Sequence, residues 1–177
     1  MSFTDAEFRR TMARFATGVT IVTTPSNGKF FGLTVSSFCS VSLNPPLVLV
    51  CIDTSAQTHP ILHQSQVYAV NFLTSVQQYL SERFARKDQG EGKNFEDIKF
   101  HVGETGAPLF DEALGYVECR VVSEYTGGDH TIFLGRVVSL HYNNDVDHLV
   151  GQEPPPLLYF RSRYSTIQLE TCLSKSN

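Results

Sequence analysis

Hydroxyl side chains are concentrated in residues 34–42, between two apolar stretches with strand-forming character. Side chains alternate between the two faces of a strand, so Thr34 and Ser36 would share one face and Ser37 would lie on the other. Ser36 and Ser37 can meet one ligand only if the strand breaks between Thr34 and Cys39. A break would free backbone N–H groups that bind ligand oxygens. The alternative is a serine-rich loop whose hydroxyls are satisfied by its own backbone.

Two further segments place polar groups where apolar or helical residues end. Residues 51–58 run from an apolar strand into a polar loop whose oxygens and N–H groups could recognise the edge of a heterocycle. The alternative is that Thr58 only caps the helix that follows it. Residues 81–87 end a predicted helix in three cations, of which Arg86 or Lys87 could neutralise a phosphate. The alternative is that these cations face solvent at the helix C-terminus.

His130 follows the turn Gly127-Gly128-Asp129 and begins a predicted strand. Ligands of barrels bind at such strand ends, so His130 could contact a second substrate or transfer a proton, although a lone histidine is more often structural. Residues 157–164 combine aromatic rings, which can stack on flat rings, with arginines, which bind phosphate. The alternative is a charged edge strand. The histidines show no metal-ligand spacing, so no metal site is expected.

The bulk composition limits the classes of function. The net charge is −4 and the pI is about 5.8, which gives no electrostatic basis for binding nucleic acid. Only 18% of residues are charged, which favours a surface buried in a homodimer. No apolar stretch approaches the ~20 residues that span a bilayer, and no signal-peptide core is visible, so a soluble, cytoplasmic protein without membrane partners is expected. The four cysteines are interpreted as small buried hydrophobic residues.

The periodicity predicts more strands than helices. Thr4 and Glu7 have capping-box spacing at the start of a first helix. Helices are predicted at 4–16, 59–64 and 77–85; strands at 19–24, 30–37, 47–52, 67–73, 116–125, 131–142 and 157–159; a hairpin turn at 26–28; an exposed loop at 87–94; and a connector at 152–156. This order favours a mainly β, closed or partly closed antiparallel barrel with flanking α-helices. One domain is expected over 1–168, followed by a flexible tail at 169–177.

Five stretches together resemble the short-chain flavin reductase family, the reductase components of two-component flavin monooxygenases. They are residues 8–23, 32–47, 67–85, 157–164 and the motif Gly128-Asp129-His130-Thr131-Ile132. The resemblance covers residues 3–168. It implies the FMN-binding split-barrel fold, a homodimer, NADH or NADPH as hydride donor, and FMN or FAD as acceptor. It also implies a flavin-dependent monooxygenase as a possible partner.

The resemblance further implies positions for the ligand contacts. The flavin-contacting run corresponds to Thr34, Ser36 and Ser37, and the second flavin loop to Cys51, Ile52, Asp53 and Ser55, with Thr58 nearby. The segment approaching the flavin phosphate chain corresponds to Ser81, Phe84, Ala85 and Lys87, and weaker matches are Asn71 and Phe72. His130 corresponds to the histidine near the nicotinamide, and Arg161 and Tyr164 lie in the closing motif. Ser162 replaces a glycine that is frequent there, which leaves the backbone at this turn in question.

The implied reaction needs the nicotinamide C4 about 3 to 3.5 Å from the flavin N5, with the two rings stacked. Protein N–H donors near the flavin N1 and O2 would stabilise the reduced anion. We expect His130 to seat the nicotinamide. Two alternatives stay open: a flavin-binding electron carrier reduced by another protein, and a non-catalytic module that binds haem or another flat ligand.

Overall fold

The computed structural model describes residues 2–86, 95–142 and 154–167. Three α-helices lie in these ranges: α1 (Asp5–Met12), α2 (Thr58–Ser65) and α3 (Gln78–Phe84). None of these helices has the length and apolar character needed to cross a bilayer. The predicted loop 87–94 and tail 169–177 lie outside the described residues, as do the first two residues of the connector 152–156.

Most of the described chain is antiparallel β-structure. The strands are β1 (Thr17–Gly18), β2 (Thr20–Ser26), β3 (Lys29–Val35), β4 (Phe38–Leu43), β5 (Pro46–Asp53), β6 (Val67–Phe72), β7 (Phe100–Val102), β8 (Pro108–Phe110), β9 (Gly115–Gly127), β10 (His130–Tyr142), β11 (Leu158–Phe160) and β12 (Arg163–Ser165). The main sheet has the order β3-β2-β6-β9-β10-β5-β4, and β1-β11-β12 and β7-β8 form two small sheets. The predicted mainly β, antiparallel architecture with flanking helices is confirmed.

The two edges of the main sheet are joined by two residues. β3 and β4 lie at opposite edges of the seven-stranded order, yet β3 ends at Val35 and β4 begins at Phe38. A two-residue link can connect the first and last strands only if the sheet curls until its edges approach each other. Ser36 and Ser37 therefore lie at the seam of the barrel. The strand predicted over 30–37 ends at Val35, so the break that a ligand shared by Ser36 and Ser37 would require is present.

The interior of the curled sheet is filled by apolar side chains from nearly every strand. Val22, Val50, Tyr68, Cys119 and Phe133 are fully buried in one cluster, together with residues of β3. A second cluster places Leu80 and Phe84 of α3 against Ile21, Leu73 and Phe110. The helix predicted over 77–85 therefore packs an apolar face against the core, which holds its C-terminal end next to β3.

Local sequence signals predicted the start of α1 and the β2–β3 hairpin, and the structure confirms both. Thr4 and Glu7 form the predicted capping box, because the Thr4 hydroxyl accepts from the Glu7 N–H and the Glu7 carboxylate accepts from the Thr4 N–H. The predicted hairpin is confirmed: Ser26 pairs with Lys29, and Asn27 and Gly28 have φ values of 50° and 72°. Asn and Gly tolerate this left-handed conformation, which two-residue hairpin loops require.

The first helix is shorter than predicted. It ends at Met12 rather than Ala16, because the N–H groups of Arg14 and Phe15 donate to carbonyls three residues back. The Ala13 carbonyl accepts from the Arg161 N–H over 2.7 Å, so a distant turn holds the chain where it leaves the helix. Gly18, two residues beyond the predicted end of the helix, lies in β1, opposite Leu158.

Other predictions were wrong or incomplete. Thr58 does not cap α2: it is buried as the first helical residue, and its hydroxyl lies 3.5 Å from the Gly32 carbonyl oxygen. Cys119 is buried as expected, whereas Cys51 is half-buried and Cys39 is exposed. The short strands β1, β7, β8 and β12 and the strand β4 were not predicted, because they pair with partners that local periodicity does not reveal.

Candidate functional site

Three adjoining cavities surround the seam of the barrel. The loop cavity, about 350 Å³, lies between the segment 53–58 and the end of α3; the helix groove, about 790 Å³, lies between α1 and the seam. A connecting cavity of about 190 Å³ lies between them. It shares Thr34 and Ala85 with the loop cavity and shares Ser36 and Tyr159 with the helix groove. Because the connecting cavity shares lining residues with both of the others, the three form one candidate site.

The loop cavity combines a polar wall with an apolar wall. Leu33, Ala56 and Phe84 supply apolar surface, and the other lining residues are Thr34, Asp53, Ser55, Gln57, Thr58, Ala85 and Arg86. Phe84 approaches β3 closely, because a Cβ atom on Gly32 would lie 2.8 Å from its ring. A side chain at residue 32 would therefore displace Phe84 and change the shape of this wall.

Asp53 organises the loop that lines this cavity. Its Oδ1 accepts hydrogen bonds from the Ser55 N–H over 2.7 Å and from the Ser55 hydroxyl over 2.8 Å. This local turn shapes the backbone directly after β5. Arg86 brings a cation to the same cavity at the end of α3. Lys87, the other predicted phosphate ligand, lies outside the described residues.

The hydroxyls around the connecting cavity are bonded to each other and to the backbone. The Thr34 hydroxyl donates to the Ser81 carbonyl over 2.7 Å, and the Ser81 hydroxyl lies 2.9 Å from the Tyr164 phenol oxygen. Ser81 is fully buried. These bonds tie β3, α3 and β12 together, so these three hydroxyls already have protein partners.

Ser36 and Ser37 differ in what they contact at the seam. The Ser37 hydroxyl donates to the Cys51 carbonyl over 2.8 Å, and the Cys51 N–H donates to the Ser37 carbonyl over 3.2 Å. Ser36 is exposed, lines two of the cavities, and has no side-chain hydrogen bond within the part of the chain that the structure describes. Burial raises the pKa of the Cys51 thiol, which favours its neutral form.

His130 is the first residue of β10 and pairs with Asp53 of β5. Its Nδ1 lies 2.7 Å from the Asp129 Oδ1, so the neighbouring carboxylate orients the imidazole ring. The register therefore brings the predicted nicotinamide histidine beside the predicted flavin loop, although His130 lies 77 residues after Asp53 in the chain.

Other predicted site residues lie away from the cavities. Ile52 is a core residue, and Phe72 packs against Phe38. Asn71 is fully buried, and its amide nitrogen donates to the Ile21 carbonyl while its oxygen accepts from the Phe110 N–H. Arg161 occupies a left-handed position, with φ 51°, in the turn between β11 and β12. It lines none of the three cavities described above.

Several residues that line the site were not among the individually predicted site residues, although Tyr159 lies in the predicted aromatic segment 157–164. Tyr159 lines both the connecting cavity and the helix groove, and Phe8, Met12 and Phe15 form the outer wall of that groove. These three residues lie within the predicted helix 4–16, but the sequence does not show which surface their side chains would face. Within the described ranges, no group of three or more His, Cys, Asp or Glu side chains could hold a metal ion.

Comparisons with known proteins agree with this arrangement. The family model described as "Flavin reductase like domain" matches residues 12–168 of this chain. The FMN reductase (NADH) SmoA of Agrobacterium fabrum is 37% identical over 139 residues, 78% of each chain. The HsaB reductase subunit of a flavin-dependent monooxygenase from Mycobacterium tuberculosis is 34% identical, covering 92% of this chain and 82% of its own.

A solved structure extends the similarity to the fold. The NADH:FAD oxidoreductase SgcE6 of Streptomyces globisporus superposes with a TM-score of 0.83 at 34% identity, covering 94% of this chain and 95% of the other. The matched region contains every described segment that lines the loop cavity and the seam. The cavities at a barrel seam, the domain match and these relatives have one explanation: this chain belongs to the flavin reductase-like domain family, with its antiparallel split-barrel fold.

Proposed function

We propose that this protein is an NADH-dependent flavin reductase that transfers a hydride from NADH to FMN or FAD. The observation that carries the proposal is the set of adjoining cavities at the barrel seam, with the His130 turn at the edge of the same loop. Relatives named NADH-dependent FMN and FAD reductases support both the reaction and its two substrates. No covalent nucleophile is needed, which agrees with the satisfied hydroxyls of Thr34, Ser37 and Ser81.

The lining residues fit a flavin. The apolar wall of Leu33, Ala56 and Phe84 suits a flat or aliphatic group, and the Ser55 loop supplies polar atoms opposite it. Arg86 supplies positive charge at the edge of the loop cavity, where a phosphate group would be neutralised. Ser36, exposed at the seam, offers a hydroxyl that no described residue uses.

The bound flavin supplies the two-electron chemistry, and the protein supplies position and electrostatics. We assign to the seam the role of holding the ring, and to His130 the role of seating the nicotinamide with its imidazole oriented by Asp129. The apolar side chains of the helix groove exclude water from a substrate bound there. The Ser36 hydroxyl at the seam is the donor that would favour the charge that develops during the reaction.

Steady-state kinetics with FMN and FAD, each paired with NADH and NADPH, test this proposal. We expect flavin-dependent oxidation of NADH. Comparing kcat/KM among the four pairings shows which flavin and which nicotinamide are preferred. Absence of NADH oxidation with either flavin would contradict the proposal. Retention of flavin on gel filtration, with reduction only by another protein, would instead support an electron carrier of the same fold.

We also propose that the protein is a homodimer. α1 has no buried residue, and Phe8, Met12 and Phe15 are all more than half exposed. The edge strand β4 exposes Val41 and Leu43, the latter 92% exposed. An edge strand with exposed apolar side chains is open to association, and a second copy of the chain would cover it.

Sedimentation of the wild type and of Leu43→Lys tests the dimer. The wild type is expected to sediment as a dimer, and the lysine, which places a charge on the buried edge, is expected to shift it toward monomer. Lys29→Glu serves as the matched control, because it changes a charge on β3, the edge strand at the other end of the sheet order. A monomeric wild type would exclude the proposal.

We further propose that the reduced flavin is used by a separate protein. Relatives named as reductase components of monooxygenases support delivery to a separate flavin-dependent monooxygenase. Direct transfer through the open helix groove or diffusion of free reduced flavin would both serve such a partner. An added flavin-scavenging protein would lower hydroxylation only in the diffusive case.

A further inference from the structure

The turn that carries His130 is fastened to the loop that lines the loop cavity. The Thr54 N–H donates to the Asp129 carbonyl oxygen over 3.0 Å, and the Thr54 hydroxyl donates to the same oxygen over 3.1 Å. Asp129 is also the residue whose carboxylate orients the His130 ring. Thr54 therefore acts on the residue that positions His130, although it lines none of the three cavities described above.

A second link lies one residue further along β10. The His59 Nε2 lies 2.8 Å from the Thr131 hydroxyl oxygen, and its ring meets the Phe133 ring edge-on with centroids 5.7 Å apart. His59 is the second residue of α2, which begins where the loop ends. Leu62 anchors this helix in the core. The loop is therefore held against the start of β10 at both of its ends.

The Thr54–Asp129 and His59–Thr131 hydrogen bonds connect the two segments that follow the last residue pair of the β5–β10 ladder. β5 and β10 are paired from Leu47 and Arg136 up to Asp53 and His130. Past that pair the strands give way to the loop on one side and the turn on the other. Without cross-links, such segments would open more easily than the ladder that precedes them. Thr54 and His59 supply cross-links on either side of the loop residues that face the cavity.

We propose that Thr54 and His59 are positioning residues that make the loop 53–58 and the turn 127–130 one rigid block, so that a flavin bound against the loop also sets the His130 ring for the nicotinamide. This inference rests on the proposed function. Its consequence is a positive coupling between the two binding sites. By thermodynamic linkage, a nicotinamide that binds the ordered block must tighten flavin binding by the same factor that flavin tightens nicotinamide binding.

The exchange Thr54→Val tests the first link, because it removes the hydroxyl donor and keeps the shape and the backbone N–H. Loss of one hydrogen bond of about 1 kcal/mol corresponds to a rise of about five-fold in the KM for NADH. The Kd for FMN alone is expected to stay within about two-fold of the wild type, since the loop residues that face the cavity are unchanged. Thr54→Ser keeps the hydroxyl and is expected to restore the wild-type KM.

Thr131→Val tests the second link independently, and it is expected to raise the KM for NADH by a similar factor. Thr126→Val is the matched control. Thr126 pairs directly with Thr131 across β9 and β10, is exposed, and makes no side-chain hydrogen bond within the described residues. The same chemical change at this position should leave the KM for NADH unchanged.

Titration of FMN with and without saturating NAD⁺, an unreactive probe, measures the coupling. NAD⁺ is expected to tighten FMN binding to the wild type and to do so by a smaller factor in Thr54→Val. A wild-type KM and coupling in Thr54→Val would overturn the proposal, and so would a Thr54→Ser variant as impaired as Thr54→Val. Failure of the proposed function itself looks different, because the wild type would then oxidise no NADH with either flavin.

Discussion

The Ser81 hydroxyl oxygen lies 2.9 Å from the phenol oxygen of Tyr164, and this contact ties α3 to the β11–β12 hairpin. The backbone carbonyl of Ser81 also accepts a hydrogen bond from the Thr34 hydroxyl. Three residues that the family resemblance assigns to cofactor binding therefore form one connected network. In this structure, the hydrogen bonds among these residues fix the shape of the connecting cavity that they line.

A double-mutant cycle tests whether Ser81 and Tyr164 depend on each other. Ser81→Ala and Tyr164→Phe are each expected to lower the free energy of unfolding by about 1 to 2 kcal/mol, since each leaves one partner unpaired. The double variant should lose little more than the larger single loss, giving a coupling of about 1 kcal/mol. Urea denaturation measures all four proteins. A coupling near zero, with a raised Kd for flavin in Ser81→Ala alone, would show that the Ser81 hydroxyl serves the ligand instead.

Replacement of His130 distinguishes an effect on NADH from an effect on flavin binding. His130→Ala removes the ring that Asp129 orients, so the KM for NADH is expected to rise about ten-fold or kcat to fall, with flavin affinity little changed. Stopped-flow kinetics and a flavin titration give the two quantities separately. His63→Ala is a suitable control, because His63 pairs with Glu124 away from the described cavities. Weakened flavin binding with unchanged NADH kinetics would assign His130 to the wrong ligand.

Ser162 occupies a backbone conformation that favours glycine. Its φ is 60°, in the turn between β11 and β12, and side chains at such positions cost about 1 to 2 kcal/mol. Ser162→Gly is therefore expected to raise the free energy of unfolding by about 1 kcal/mol, the gain being reduced by the greater freedom of glycine in the unfolded chain.

Thermal unfolding with Asn27→Gly as the control checks this expectation. Asn27 has a similar φ of 50°, but asparagine tolerates the left-handed region, so the gain there should be smaller. An equal or lower stability of Ser162→Gly relative to the wild type would show that the Ser162 side chain contributes contacts that outweigh its backbone strain.

Two buried acidic groups predict a loss of stability at alkaline pH. Burial raises the pKa of the Cys119 thiol from 9.0 to about 12 and raises the pKa of the Tyr68 phenol as well. Below pH 9 both groups are protonated in the folded and unfolded chains, so their contribution is fully present. As the pH rises toward 12, only the unfolded chain releases these protons, and the free energy of unfolding falls.

Urea denaturation between about pH 8 and pH 11 measures this dependence, whose slope is at most about 1.4 kcal/mol per pH unit for each group. Tyr68→Phe should flatten the curve, because it removes one of the two ionising groups. A wild-type stability that does not fall over this range would contradict the burial argument.

Much of the fold could be predicted because its signals are local. The capping box at Thr4 and Glu7 and the Asn27-Gly28 turn are satisfied by residues within three positions of each other. The alternation argument showed that Ser36 and Ser37 can meet one ligand only across a break, and β3 does end at Val35. The predicted helix ended too late because the Arg161 N–H, far along the chain, holds the Ala13 carbonyl.

The candidate site was predicted in part. Residue types and the family resemblance indicated the Asp53 loop, the end of α3 and His130, and the structure places the first two on one cavity and pairs His130 with Asp53. They could not reveal that the Asn71 amide is used inside the core or that Tyr159 lines two cavities. A hydroxyl or amide has the same appearance in a sequence whether a ligand or the protein satisfies it.

The sequence by itself determined a mainly antiparallel chain with a polar break between two strands, because side-chain alternation and turn chemistry act over a few residues. Only the tertiary structure decided what that break joins. It is the seam where the first and last strands of a seven-stranded sheet meet, and the cavities lie on either side of it. The partners of Thr34, Thr54 and Ser81 are 47, 75 and 83 residues away, and such pairings are set by how the whole sheet closes.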